Sequence, residues 1–102
     1  MDPAKRKRLN EAGWKTGSVT EFLDLTPEES GLIEIKLRLS ELVRKARMRQ
    51  RLSQVVLAKR LGSSQSRVAK IESGDPSVSL DLLFRASFAS GATRRELARA
   101  IG

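Results

Sequence analysis

The chain has no cysteine, no histidine and no tyrosine, and only one tryptophan among its 102 residues. Without cysteine there is no disulfide framework and no thiol chemistry, and the redox compartment is left open. Without cysteine and histidine, the usual ligands of a zinc site and the usual base of a nucleophilic triad are both missing. The carboxylates that remain stand at helix caps or in charged surroundings. An enzyme is therefore the least expected class, and neither a metal nor a cofactor is expected. No apolar run approaches the roughly 18 residues needed to span a membrane. The opening residues 1–14 are charged with no apolar stretch behind them, so they do not read as a signal peptide. The expectation is cytoplasmic residence.

What the chain does have is positive charge, unevenly spread. The net charge is +8. Residues 1–20 contribute +3, and residues 21–34 contribute −5 with no base among them. Residues 35–70 contribute +10, and residues 71–102 balance. Ten net charges within 36 residues are more than an ordinary solvated face concentrates, and a phosphate backbone is the natural counterpart.

That basic stretch runs into residues 52–74, LSQVVLAKRLGSSQSRVAKIESG. Ser53 is a good N-cap, and Leu57, Ala58 and Leu61 form a narrow apolar face behind it. Gly62 is placed to close this helix in the left-handed conformation. Ser64 can then cap a second helix from Gln65 to about Ser73, with Val68 and Ile71 inward and Gln65, Ser66, Arg67 and Lys70 outward. Ala58 is small enough for the two helices to cross closely. Two short helices joined by a tight turn are the layout of a helix-turn-helix, although ordinary helical bundles also contain such pairs.

In register, these residues resemble the Cro/XRE-type helix-turn-helix of phage repressors and small bacterial regulators. The matching positions are Leu52-Ser53-Gln54, Leu57-Ala58, Leu61-Gly62, Ser63-Ser64-Gln65 and Ile71-Glu72-Ser73-Gly74. The resemblance covers roughly residues 34–101. It implies a phosphate contact for Gln54, base reading by Gln65 (often of adenine, through paired hydrogen bonds), and a guanine or phosphate contact for Arg67. Ser66 joins the reading group. Ser53, Ser63, Ser64, Lys59, Arg60, Lys70 and the Ser77–Ser79 loop would hold phosphates, together with the amides that open the two helices. Two such units in a homodimer would read an inverted repeat in double-stranded DNA. Val55-Val56 depart from the pattern, which usually has polar or acidic residues there. They read either as extra core or as a patch covered by a partner.

Elsewhere the pattern is helical throughout. Asp2-Pro3 can open a short helix ending at Gly13, and Ser18 to Glu21 has capping-box spacing. Thr26-Pro27-Glu28-Glu29 is a stronger start, for a helix reaching about Gln50 with Leu32, Ile35, Leu39, Leu42, Val43 and Ala46 as its core stripe. Gly31 weakens the first turn and leaves Leu32 as an alternative start. Asp75-Pro76 makes a turn. Ser79 caps a helix with Leu80, Leu83, Ala86 and Ala89 inward and Phe84 or Phe88 on a flank, and Gly91 stops it. Thr93 to Glu96 opens a last helix that returns Leu97 and Ile101 to the core. The predicted architecture is all-α: an N-terminal helical extension over 1–31, then a five-helix Cro/XRE (lambda-repressor-like) domain over 32–102.

Ile33 and Leu37 lie on a second stripe that the helix-turn-helix core is not expected to cover. Trp14, Val19, Phe22, Leu23 and Leu25 are candidates to cover it. Either the segment folds back as a lid, or some of this apolar surface (Trp14, Val19, Phe22, Leu23, Ile33 and Leu37) meets another protein. The run Glu21-Phe22-Leu23-Asp24-Leu25, then Thr26-Pro27-Glu28-Glu29 and a long helix, resembles HigA-type antitoxins, over roughly residues 18–50. That resemblance implies a partner, a small basic RelE/HigB-like ribonuclease toxin, and repression of the antitoxin's own promoter. The acids of 21–34 complement a basic toxin, or they serve only the helix N-termini. The alternative is a stand-alone phage- or plasmid-type repressor with no toxin partner. An adaptor that keeps the scaffold without reading DNA is a third possibility.

Overall fold

The computed structural model describes residues 25–102, and among them are five helices and no strand. The chain divides into two compact units, residues 1–34 and 35–102. The readings of residues 1–24, including the short helix expected after Pro3, lie outside the described residues.

Helix α1, Pro27–Arg49, starts where its cap predicts. Thr26 Oγ1 accepts from the Glu29 amide at 3.2 Å, Pro27 stands at the first helical position, and Glu28 and Glu29 lie in the first turn. Together these outweigh the cost of Gly31, about 1 kcal/mol relative to alanine, so the helix does not wait for Leu32. Helix α2, Gln54–Leu61, is capped by Ser53, whose hydroxyl accepts from Val56 N, and is closed by Gly62 at φ 63°. Helix α3, Gln65–Ser73, repeats the device with Ser64 accepting from Arg67 N and Gly74 at φ 80°. Here the glycine serves twice, because a Cβ on Gly74 would stand 2.8 Å from Leu37 Cδ2. Helix α4, Leu80–Ala89, begins at Ser79. Helix α5, Arg94–Ile101, opens with the full Thr93/Glu96 capping box.

The core of the second unit gathers Leu39 and Val43 from α1, Leu57 and Ala58 from α2, Val68 and Ile71 from α3, Leu83 and Ala86 from α4, and Leu97 from α5. Val78, in the turn before α4, joins them. Two buried serines on or just after α4 are satisfied within the turn: Ser87 and Ser90 donate to Leu83 O and Ala86 O, each at 2.7 Å.

Four expectations are corrected by this packing. Leu32 is exposed; the buried part of the stripe lies within the second unit, with Ile35 packed against its core and Leu39 wholly inside. Leu37 is half-buried against the Gly74 turn, so the helix-turn-helix does cover it. Ile101 is 40% exposed, because α5 reaches the core at Leu97 and its last residue lies one turn past the core's edge. Val55 and Val56 are exposed on the side of α2 away from Leu57, so they are not extra core.

Beyond the core, α1 and the start of α5 are joined by an ion pair. Arg49 donates to both carboxylate oxygens of Glu96, at 2.7 and 3.2 Å, and Thr93 N donates to the same carboxylate at 3.1 Å. The Arg49 guanidinium, followed by the Thr93 amide, lowers the Glu96 carboxyl from 4.5 to about 2.

Leu57→Ala is expected to cost roughly 2–5 kcal/mol in urea unfolding, since Leu57 is wholly buried. Ile101→Ala should stay within roughly 0.5 kcal/mol; a large loss would place Ile101 in the core after all. The Glu96 shift sets an acid limb. Its native pKa is depressed, so the stabilisation is complete above the unfolded value and is lost as pH falls from near 4.5 toward 2. Thermal melts of Glu96→Gln should lose stability at neutral pH and decline less steeply across that window than wild type. An unchanged acid limb would mean the pair contributes nothing.

Candidate nucleic-acid interface

The 3.6-residue period of α3 separates its faces. Val68 and Ile71 are wholly buried, which turns Gln65, Ser66, Arg67 and Lys70 outward, and all four are exposed. The first turn is held by serine chemistry: Ser64 Oγ accepts from Arg67 N at 3.2 Å and shares a hydrogen bond with Ser66 Oγ at 3.1 Å. Beside it lies a surface depression of about 430 Å³, lined by Gly62, Ser63, Ser64, Ser66, Arg67 and Lys70. Three hydroxyls and two cations with no carboxylate among them make surroundings suited to an anion. Arg67 thus shares its surroundings with three of the residues expected to hold phosphate, Ser63, Ser64 and Lys70.

The start of α2 is organised by a pair that local sequence patterns do not reveal. Arg47, near the end of α1, donates to both oxygens of Glu72 on α3, at 2.6 and 3.0 Å, and to the carbonyl of Leu52 at 2.8 Å. Both side chains are largely buried, 15% and 5% exposed. The hydrogen bond to Glu72 raises the Arg47 pKa above its ordinary value, against the cost of desolvation. Gln54 joins this cluster, with Nε2 donating to Glu72 Oε1 at 3.3 Å. The amide expected to meet a phosphate is therefore pre-positioned, with one of its two N–H groups already engaged. Neither Arg47 nor Glu72 was singled out as a site residue from sequence. One signal was present: an acid in the last turn of a helix opposes the helix dipole and calls for a cation.

The remaining phosphate candidates are dispersed. Ser53 is exposed and its hydroxyl caps α2. Lys59 is exposed and pairs with no carboxylate among the described residues. Arg60 donates to Ala89 O at 3.2 Å, fastening α2 to the end of α4. Ser77 is turned away from the role expected of it: its amide and its hydroxyl both donate to Asp75 Oδ1, at 2.8 and 2.7 Å, so neither is left for a phosphate. Those bonds, the backbone one foremost, hold the Asp75 carboxyl below its ordinary value and keep a negative charge in this loop. Ser79 Oγ is occupied in capping α4. Of the expected protein-contact residues, Trp14, Val19, Phe22 and Leu23 lie outside the described residues, Ile33 is half-buried, and Leu37 packs by Gly74.

No helix among the described residues is long and apolar enough to cross a membrane. No curated protein and no solved structure matches the chain. Residues 43–87 match a family model described as helix-turn-helix, a span from the end of α1 through most of α4. With two capped helices, a glycine turn between them, an outward polar first turn on the second and an all-α core around both, residues 43–87 form a helix-turn-helix of the Cro/XRE type, and the chain that carries it is a DNA-binding transcriptional regulator.

Proposed function

We propose that the protein is a sequence-specific repressor that binds an inverted repeat as a homodimer, and that it is the antitoxin of a RelE/HigB-like ribonuclease toxin, repressing its own operon. The observation that carries the DNA reading is the exposed first turn of α3 beside the serine-lined basic depression. In this reading α3 enters the major groove and Gln65 pairs with a base edge, adenine being the best geometric match for a side-chain amide. Ser66 reads beside it. Arg67, which shares the depression with Lys70, is suited to a phosphate or to a guanine at the groove's edge. Phosphates of the flanking backbone meet Ser63, Ser64 and Lys70 on one side, and Ser53, Lys59 and the free N–H of Gln54 on the other. A dimer would set two α3 helices roughly 34 Å apart, one helical turn of DNA.

The toxin reading rests on residues 21–34, which carry five acids and no base, with Glu28 and Glu29 exposed at the start of α1. A basic ribonuclease is the complementary partner. One observation favours the stand-alone repressor instead: Leu37 is covered by the Gly74 turn, which shrinks the apolar surface available to a partner. Co-expression with the product of the adjacent gene, followed by size exclusion and a mobility shift on the upstream DNA, separates the two. A single complex that shifts the promoter supports the antitoxin, whereas a protein that shifts DNA and ignores its neighbour removes it.

Gln65→Ala is expected to weaken operator binding by roughly 1–3 kcal/mol and to leave a scrambled duplex almost unchanged. Equal losses on both would remove its reading role. Lys59→Ala should weaken both duplexes alike and make the salt dependence shallower by about one contact.

A further inference from the structure

Arg51 is the one non-glycine residue with positive φ among the described residues, at 57°. It closes α1: Leu52 N donates to Arg47 O and Arg51 N to Met48 O, each at 3.0 Å, the paired bonds that end a helix through a left-handed residue. Helices α2 and α3 end the same way, and both use glycine, Gly62 and Gly74, at that position. A side chain there clashes with its own backbone, a strain glycine avoids. The charge does suit a helix C-terminus, but Arg47 and Arg49 already supply that in the last turn. The Arg51 side chain is exposed and makes no hydrogen bond or ion pair with any described residue. The fold thus bears a strained arginine and takes nothing evident from its side chain.

Its position offers a use. Arg51 stands two residues before Ser53, the cap of α2, and the intervening Leu52 carbonyl is gripped by Arg47. The turn is thereby locked to the end of α2 at which Ser53 and Gln54 await a phosphate. We propose that Arg51 is a further phosphate-binding residue, contacting the DNA backbone ahead of α2, and that the strained arginine is kept for this contact. The inference rests on the DNA-binding reading above.

The test uses the full chain with Arg51→Gly and Arg51→Lys, measured by thermal melting and by binding to the upstream duplex and a scrambled duplex over a range of salt. Arg51→Gly should melt at or above the wild-type temperature, yet bind both duplexes several-fold more weakly. Its salt slope should be shallower by about one contact. Arg51→Lys should keep the wild-type slope, since it restores the charge in the same strained conformation. If wild type binds and Arg51→Gly keeps its affinity and slope, the phosphate role of Arg51 is overturned while the DNA reading stands. If wild type binds neither duplex, the DNA reading falls and takes this inference with it.

Discussion

The ion pair between Arg47 and Glu72 is the interaction on which the DNA-facing half of the domain depends. One guanidinium holds the carboxylate of α3 through two nitrogens and the Leu52 carbonyl through the third, while Gln54 reaches the same carboxylate. Four parts of the chain meet there: the end of α1, the turn after it, the start of α2 and the end of α3. Each is a helix terminus or a turn, where backbone groups are least constrained by regular hydrogen bonding. Such a pair is poor evidence of net stability, because the cost of desolvating two charges offsets much of their attraction. What it contributes is a fixed angle between α1 and α3 and a fixed entry into α2. Breaking one side alone would leave a charge buried, a loss of typically 3–5 kcal/mol.

The same economy of contacts divides the basic residues into two kinds. Arg47, Arg49 and Arg60 are spent inside the domain, on Glu72, on Glu96 and on the end of α4. Lys59, Arg67 and Arg51 are exposed and form no ion pair among the described residues, and Lys70 is exposed with only the Asp75 carboxylate acting on it. A count of positive charge over 35–70 overstates the surface field for this reason. The loop after α3 offers less than its serines suggest, because Asp75 takes both donors of Ser77. Beside the glycine turn between α2 and α3, Arg67 and Lys70 share one depression with Ser63, Ser64 and Ser66 and with no carboxylate.

A division of labour follows between rigid and adaptable groups. The recognition turn is fixed by its cap, since Ser64 binds the Arg67 amide and Val68 and Ile71 anchor the opposite face. The side chains of Gln65 and Arg67 stand on that fixed backbone and are exposed, so in the proposed reading they adjust to base edges and phosphates without disturbing the core. Gln54 differs, being half-buried and held by Glu72 before any ligand arrives. A positioned amide loses less freedom on binding than a free one.

Much of the fold is legible from sequence because its signals are local. Thr26, Ser53, Ser64, Ser79 and Thr93 each cap a helix through an amide three residues on, and Gly62 and Gly74 close helices at positive φ. Those signals act within one turn of helix, so the order, the starts and most of the inward residues of the described helices follow from neighbours in the chain. Tertiary structure decided whatever depends on partners farther away. Arg47 finds Glu72 across 25 positions, and Leu37 is covered only because the turn at Gly74 comes close to it. Ile101 keeps helical spacing yet lies where burial has run out, because periodicity marks a face but not how far the opposing surface extends. The sequence by itself determined a capped, basic helix-turn-helix with its polar turn facing out. The crossing of the helices decided which charges would be consumed in holding it together and which would be left exposed.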